Sequence, residues 1–372
     1  MPAAEYFNRS LQIRLEERKR KDLYRELCIQ DGKIDFCSND YLGLARLASP
    51  DLQPGGLPGT GATGSRLISG HSEAAEKAEE IIAAFHSAEA SLIFNCGYMA
   101  NIGLLSSIGR KGDTFIVDAN VHASIHDGIR LSHAGKYKFR HNDPDDLEKK
   151  IKKAQGNKFV VVESLYSMDG DRAPLPHIAE ICARHKALLI VDEAHATGIW
   201  GENGKGLVSN YQLPNGVFAC IHTYGKAMGL HGAAVTGSLV LKNYLINFGR
   251  SFIYSTALPP ATYKQILNAY QLLPSVDRSP LFDLIDYFRG SIRDLKLQGF
   301  TDSQSQIQSL VIGSNTRAKA LSEHLFQNGI HAKAILSPTV APGTERIRIC
   351  LHSFNTKHEV DLLLTEIRNF LK

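Results

Sequence analysis

The stretch ALLIVDEAH, residues 187–195, decides the fold class of this chain. An unbroken apolar run from Ala187 to Val191 leads directly into Asp192 and Glu193, and His195 follows. A continuous apolar run predicts a strand that is covered on both faces, because a strand with one wet face alternates apolar and polar residues. The stretch therefore favours a parallel sheet with titratable side chains at the carboxyl end of one strand.

Further apolar runs flank this stretch, and most are separated by amphipathic segments of helical length. The predicted strands are SLIF (91–94), TFIVDA (114–119), KFVVVESL (158–165), GVFACIH (216–222) and GSLVLK (237–242), with a helix in HSEAAEKAEEIIAAFH (71–86). Alternating strands and helices predict a large, mostly parallel α/β sheet domain.

The pattern changes after LLPSVDRSP (272–280) to longer amphipathic helices with separate strands. These strands are SLVIGS (309–314), HAKAI (331–335) and RIRICLH (346–352), and a closing helix is expected near 356–371. We predict an N-terminal helix and arm over 1–45, the large α/β domain over 46–275 and a small α+β C-terminal domain over 276–372.

Composition excludes several classes of function. The 372 residues carry a formal charge of only +4, and the basic run Arg18 to Lys21 lies among acids in a predicted helix, so a solvated helix face is favoured over a nucleic-acid patch. The six cysteines form no CxxC, which is typical of a reducing compartment. With no apolar signal core and no run of membrane-spanning length, the chain is expected to be cytoplasmic, with no membrane or nucleic-acid partner.

Three glycines in GTGATG (59–64) have the spacing of a dinucleotide-binding fingerprint. Such a fingerprint needs a strand before the glycines and a helix start directly after them. Here the preceding LASPDLQPGGLP is too rich in proline and glycine for a central strand, and SRLISGH follows before any helix. A nicotinamide-dependent dehydrogenase is therefore disfavoured, and a loop with close backbone approach is the better interpretation.

Lys226, in HTYGKAMGLHGAA (222–234), directly follows a predicted apolar strand. Taken alone it is either a surface residue of a loop or an amine desolvated enough to form a Schiff base. Glu193 could cap the turn after its strand. Asp192 is harder to explain in that way, because a carboxylate at the end of a buried strand needs a cation or hydrogen-bond donors, and a protonated pyridine nitrogen would be such a cation.

Five ordered motifs together resemble the α-oxoamine synthases, which are fold type I enzymes dependent on pyridoxal 5'-phosphate (PLP). They are CGYMANIG (96–103), DANVHASIHDG (118–128), YSMDGDRAPL (166–175), DEAHATGIWGENGKG (192–206) and HTYGKAMGLHG (222–232). The resemblance runs from SNDYLGL (38–44) to the last predicted helix. It implies a PLP-dependent C-acyltransferase that joins an amino acid to an acyl thioester with loss of carbon dioxide.

The resemblance also implies roles for individual residues. Lys226 would hold the cofactor aldehyde and act as acid and base at the substrate Cα, Asp192 would pair with the pyridinium nitrogen, His195 would hydrogen-bond the ring oxygen and His122 would stack on the ring. Further cofactor contacts are implied for Cys96, Gly97, Tyr98, Ser167, Thr223, Ser255 and Thr256. Substrate contacts are implied for Arg25, Asn39, His122, Thr339 and Arg348, with Arg348 on the substrate carboxylate.

The resemblance also implies how the cofactor phosphate is held. Gly97 and Tyr98 would offer it backbone N–H groups at a helix start. Ser255 and Thr256 would reach the phosphate of a neighbouring subunit, in a homodimer with shared active sites. The glycine loop 59–64 would form a backbone wall of the active site. His122 and His126 have helical spacing but no third metal ligand, so no metal is predicted.

The substrates are suggested by RHNDPDDL (140–147), FIYSTALPP (252–260) and SPTVAPGTERIRI (337–349). Within the family these segments are most similar to members that condense L-alanine with a pimeloyl thioester, either pimeloyl-CoA or pimeloyl-acyl carrier protein. Members that use glycine or serine with acetyl or palmitoyl thioesters are the alternatives. A non-catalytic member would be expected to lack the lysine or the aspartate, and this chain has both. Cys96 departs from the serine that the family often has in the phosphate-binding turn, which leaves backbone binding intact.

Overall fold

A computed structural model of the chain describes residues 3–25, 27, 32–47, 61–213 and 216–372. Its contacts divide the chain into two compact units. The central unit comprises Asn39–Ser167 and Asp171–Arg278, and the terminal unit comprises Met1–Ser38, Met168–Gly170 and Ser279–Lys372.

The central unit is built on a seven-stranded sheet. In chain order its strands are β2 (Ala90–Phe94), β3 (Thr114–Asp118), β4 (Gly135–Phe139), β5 (Lys158–Glu163), β6 (Leu188–Asp192), β7 (Ala219–Thr223) and β8 (Ala233–Gly237), and β1 (Ile34–Asp35) belongs to the terminal unit. The spatial order is β2-β8-β7-β6-β5-β3-β4. Neighbours from β4 to β7 are parallel, and β8 runs antiparallel to both β7 and β2. The predicted mostly parallel α/β sheet is confirmed.

Helices cover this sheet, as unbroken apolar strands require. They are α2 (Glu73–Phe85), α3 (Gly97–Ile108), α4 (Ala123–Arg130), α5 (Pro144–Lys153), α6 (Leu175–Arg184), α7 (Leu207–Asn210), α8 (Leu239–Phe248), α9 (Arg250–Ile253) and α10 (Pro260–Leu272), while α1 (Ala3–Arg20) lies in the terminal unit. Every residue of β2, β3 and β7 is buried. The start of α5 has a conventional cap, because the Asp143 side chain accepts from the Asp146 N–H and Pro144 lies in the first turn.

The strand predicted over 237–242 is wrong. The antiparallel strand β8 ends at Gly237, and α8 begins at Leu239 after the Ser238 side chain accepts a hydrogen bond from the Leu241 N–H (3.1 Å). Leu241 and Leu245 are buried one helical turn apart, whereas Val240 is exposed. A serine cap and i, i+4 burial therefore override the strand-like apolar run. Strands β4 and β8 were not predicted, because β4 is mostly exposed and β8 consists largely of small residues.

The terminal unit combines two small sheets with helices. Its remaining elements are α11 (Ser279–Asp294), β9 (Ile307–Val311), α12 (Asn315–Gln327), β10 (Ile330–His331), β11 (Lys333–Ile335), β12 (Arg346–Cys350) and α13 (Lys357–Leu371). Strands β11, β12 and β9 form an antiparallel sheet in that order, and β1 pairs in parallel with β10. A capping box between Thr356 and Glu359 starts α13.

The N-terminal segment does not form a unit of its own in this division. Residues 1–38 cluster with the C-terminal elements, because β1 pairs with β10 and the Cys350 N–H donates to the Phe36 carbonyl (2.8 Å). Within the described ranges, no helix combines the length and the apolarity needed to cross a bilayer.

Candidate active site

A cavity of about 250 Å³ in the central unit brings together many of the predicted site residues. The predicted residues that line it are Asn39, Cys96, Gly97, Tyr98, His122, Asp192, His195, Thr223 and Lys226. The lining also includes Asn101, Ser124, Glu163, Ala194, Gly225, His231 and Gly232. Since Asp192 ends β6 and Thr223 ends β7, the cavity lies at the carboxyl edge of parallel strands, where α/β sheets bind ligands.

The amine of Lys226 lies in the loop between β7 and β8. Backbone hydrogen bonds close this loop: the Leu230 N–H donates to Tyr224 O (2.8 Å), and the Tyr224 N–H donates to Gly232 O (3.0 Å). The Lys226 Nζ is 2.9 Å from His195 Nε2. An amine and an imidazole at this distance can exchange a proton directly.

The carboxylate of Asp192 is buried and held by two donors. Asn101 Nδ2 donates to Oδ2 (2.8 Å) and the Ala194 N–H donates to Oδ1 (2.9 Å). These bonds fix the orientation of the carboxylate and partly offset the cost of burying it. The Asp192 carboxylate is thus fixed in orientation, and its remaining lone pairs can accept from a cationic or N–H group of a ligand.

His122 precedes α4 and is held as a neutral ring. The Ser124 N–H donates to its Nδ1 (3.2 Å), with Ser124 Oγ 2.8 Å from the same atom, so this nitrogen serves as an acceptor. Burial lowers the pKa of His122 and outweighs the opposing effect of Asp192. A neutral ring that is exposed in the lining of the cavity suits contact with a flat ligand.

Glu163 lies beneath His122 and beside Asp192. Its Oε1 accepts from the His122 N–H (2.6 Å), and the Glu163 backbone pairs with Asp192 across β5 and β6. Burial, helped by the nearby Asp192 charge, raises the pKa of Glu163 to about 8. Burial and the neighbouring Asp192 thus both favour the neutral form of the Glu163 carboxyl.

The start of α3 forms one wall of the cavity. Cys96 is the N-cap, and its side chain makes no capping hydrogen bond to this 12-residue helix. The first N–H groups of a helix have no partner within it, so they are available to an anion. A Cβ on Gly97 would lie 2.5 Å from Thr223 Cγ2, which shows how closely the helix start packs against the end of β7.

Three predicted cofactor residues lie in other loops of the central unit. Ser167 follows β5 and is half-buried. Ser255 is half-buried and Thr256 is exposed after α9, and Asn95 Nδ2, just before the start of α3, donates to the Thr256 carbonyl (2.9 Å). Their contacts with a cofactor stay predictions.

The described part of the glycine loop packs against the same segment. The Ala257 N–H donates to Gly64 O (3.0 Å). Gly59 lies outside the described residues, and the role of this loop as a wall of the site stays a prediction.

The remaining predicted substrate residues belong to the terminal unit. Arg348 is buried on β12, opposite Ser309 of β9 and Lys333 of β11. Thr339 is exposed after β11, where its N–H donates to Leu336 O (2.9 Å), and Arg25 is exposed beyond α1. Their substrate contacts stay predictions.

Sequence reasoning missed Asn101, Ser124 and Glu163. Glu163 had a usable signal, because it ends the apolar run KFVVVE just as Asp192 ends ALLIV. Asn101 and Ser124 lie on α3 and α4, where a polar residue in the sequence does not reveal that Asn101 bonds Asp192 or that Ser124 bonds His122. Tyr41, which contacts His195, was likewise quoted only as part of SNDYLGL.

A larger cavity of about 310 Å³ lies elsewhere in the central unit. His86 and His222 stack in its lining with ring centroids 3.6 Å apart. Burial lowers the pKa of His86 to about 3, so that ring is uncharged. None of the predicted site residues lines this cavity, so we place the candidate active site in the smaller one, which holds the amine, the imidazole and the acids.

Comparison with known proteins agrees with this geometry. The profile of the aminotransferase class I and II family matches residues 31–367. The chain belongs to this family. A curated relative from Marinobacter nauticus, 8-amino-7-oxononanoate synthase, is 39% identical over 371 residues, covering 94% of this chain and 93% of the relative.

Solved structures of family members share the fold. An 8-amino-7-oxononanoate synthase from Francisella tularensis has a TM-score of 0.80 at 29% identity, covering 92% of this chain and 98% of that chain. A structure of SPT with a PLP internal aldimine has a TM-score of 0.85 at 26% identity, covering 91% of this chain and 88% of that chain. The family fold, predicted as fold type I, is confirmed.

Proposed function

We propose that this chain is a PLP-dependent C-acyltransferase that condenses L-alanine with a pimeloyl thioester and releases carbon dioxide, giving 8-amino-7-oxononanoate for biotin biosynthesis. The observation that carries the proposal is the meeting of Lys226, His195 and Asp192 in one cavity of a chain 39% identical to a curated 8-amino-7-oxononanoate synthase.

The residues of the cavity fit the cofactor. Lys226 offers an amine for its aldehyde, Asp192 an oriented carboxylate for its pyridine nitrogen, and the α3 start offers N–H groups for its phosphate. When bound, PLP supplies a conjugated ring that withdraws electrons from the Cα of an attached amino acid.

The protein contributes positioning and proton transfer. Asp192 would hold a proton on the ring nitrogen, since a buried carboxylate favours a protonated partner. Lys226 Nζ would remove the proton from the alanine Cα and later return one there, with His195 Nε2 at 2.9 Å to take up or supply a proton. The His122 ring would cover the site and exclude water from the reacting carbon.

The purified chain, supplied with PLP, should release free coenzyme A from pimeloyl-CoA when L-alanine is present. Glycine with acetyl-CoA, as for a glycine C-acetyltransferase, and L-serine with palmitoyl-CoA, as for a serine palmitoyltransferase, test the alternatives. The proposal fails if either alternative pair turns over faster than the alanine pair. Pimeloyl-acyl carrier protein in parallel assays identifies the donor, and growth of a biotin auxotroph lacking this step checks the product.

We further propose a homodimer whose interface includes the surface beside the α3 start. Tyr98, Met99 and Tyr254 are exposed in the single chain, and the Ser255–Thr256 segment lies beside that helix start. An exposed apolar cluster at a ligand site is typical of a subunit interface. Light scattering should give twice the chain mass, and Tyr254→Glu should shift it toward the monomer. Exposed Tyr137→Glu, on strand β4, is the control and should leave the mass unchanged.

A further inference from the structure

We propose that Tyr41 is a positioning residue that fixes His195 as the proton acceptor for the Lys226 amine. This inference rests on the proposed function and adds a residue to it. It follows from an unbroken chain of hydrogen bonds, Asn39 to Tyr41 to His195 to Lys226, with separations of 2.8, 2.8 and 2.9 Å.

The direction of these hydrogen bonds follows from the single hydrogen of the Tyr41 hydroxyl. The Tyr41 hydroxyl donates to Asn39 Oδ1, and a hydroxyl has a single hydrogen to give. Its oxygen can therefore only accept from His195 Nδ1, which must carry the ring hydrogen. Tyr41 is fully buried, so the hydroxyl is shielded from bulk water.

This tautomer determines what Nε2 can do. A neutral imidazole carries one N–H, so with the hydrogen on Nδ1 the lone pair is on Nε2, which faces the Lys226 Nζ. A proton can pass from the lysine ammonium to Nε2, leaving a neutral amine and an imidazolium that still donates Nδ1–H to Tyr41. The neutral amine is the form that attacks an aldehyde carbon.

The loop that carries Tyr41 packs closely against the loop that carries Lys226. Gly229 of the lysine loop has φ 63°, and a Cβ there would lie 2.3 Å from the Ala45 backbone nitrogen. The loop that carries Tyr41 and the loop that carries Lys226 are therefore in direct backbone contact, which only a glycine at position 229 permits. His195 enters between them from the end of β6.

A purely structural tyrosine would also be buried and hydrogen-bonded, so the experiment must measure the tautomer of His195 directly. The ¹⁵N shifts of the imidazole nitrogens report the tautomer in the full-length chain without PLP, with the His195 signals assigned by their loss in His195→Gln. We expect the Nδ1–H tautomer in the wild type and a mixture in Tyr41→Phe. Tyr244→Phe, which removes a hydroxyl that donates to Ser107 O (2.8 Å), is the matched control and should leave the tautomer unchanged.

The second readout is the rate at which the chain captures PLP, followed by absorbance across pH. Tyr41→Phe should slow capture about tenfold at neutral pH, less than the roughly 10²–10⁴-fold for loss of a whole general base, because His195 stays in place. The difference should shrink at high pH, where the amine is free without help. Lys226 also faces the carboxyl groups of Asp192 and Glu163 and the ring of His122, which the substitution leaves in place.

The outcomes are separable. A hydrogen on Nε2 in the wild type overturns the inference even if Tyr41→Phe does not fold. An unchanged tautomer and capture rate in folded Tyr41→Phe also overturn it. A chain that shows the expected tautomer and capture but makes no product from L-alanine and a pimeloyl thioester refutes the proposed function and leaves the role of Tyr41 intact.

Discussion

Two histidines of the central unit are each held at both ring nitrogens, but by different partners. His141 lies between two carboxylates, with Nδ1 2.8 Å from Asp118 Oδ1 and Nε2 2.8 Å from Asp171 Oδ2. His195 lies between a hydroxyl and an amine, at 2.8 and 2.9 Å. The same side chain is thus placed in one region among fixed charges and in the other among groups that can exchange a proton.

The partners decide the role. Burial alone would lower the pKa of His141, but the hydrogen bonds from its ring to Asp118 and Asp171 raise it to about 10. The charged form of His141 is therefore favoured at neutral pH, and this ring links the end of β3 to the loops after β4 and β5. The His195 ring nitrogens contact the Tyr41 hydroxyl and the Lys226 amine, and this ring is suited to pass a proton rather than to hold one.

Removing the amine partner of His195 should have the largest effect. Lys226→Ala should lower turnover of L-alanine and pimeloyl-CoA by about 10³-fold or more, because it removes both the attachment point and the proton carrier. The fold should persist, since the loop is closed by backbone hydrogen bonds. Steady-state assays beside Lys264→Ala, an exposed lysine on α10, check this; comparable losses in both variants would contradict it.

Removing the His141 ring should affect stability rather than turnover. His141→Gln leaves buried Asp118 without its cation and should reduce the free energy of unfolding by about 3 kcal/mol in urea titrations. The matched control is His185→Gln, which removes a histidine of similar exposure whose partner at 2.8 Å, Glu148, is less buried than Asp118, and it should cost less than about 1 kcal/mol. Equal losses would show that the two carboxylates add nothing beyond a surface pair.

The contribution of His141 to stability should depend on pH. Because the pKa of His141 is raised by folding, its contribution to stability is complete below its unfolded value of about 6.5. It is lost as the pH rises toward about 10. The stability difference between wild type and His141→Gln should therefore shrink across this window in chemical denaturation. A constant difference from pH 6.5 to 10 would mean that the ring is not charged in the native state.

Replacing Glu163 should have the smallest effect, and it should raise stability rather than lower it. Folding raises its pKa to about 8, so its contribution to stability is present below about pH 4.5 and lost as the pH rises to 8. Glu163→Gln keeps an oxygen for the His122 N–H and should make the PLP-free chain more stable than wild type at pH 8, by about 1 kcal/mol. Thermal unfolding at pH 5 and 8 measures this, and a variant less stable at pH 8 would contradict it.

Much of the fold was accessible from local pattern. Unbroken apolar runs predicted β2, β3, β5, β6 and β7, since a strand buried on both faces must be apolar along its whole length. The pattern failed where local chemistry was ambiguous: the run after Gly237 became α8 because Ser238 caps it, and the small residues of β8 carried no signal.

By itself the sequence determined the parallel sheet and the presence of a lysine and an aspartate after neighbouring strands, because strand periodicity and strand ends are local properties. Only the tertiary structure decided which groups meet: Tyr41 lies 154 positions before His195, and Asn101 lies 91 positions before Asp192. Hydrogen-bond direction, burial and the pKa of a carboxyl group depend on such distant partners. The physical reason is that a titrating side chain takes its role from what surrounds it in space, and chain folding alone sets those surroundings.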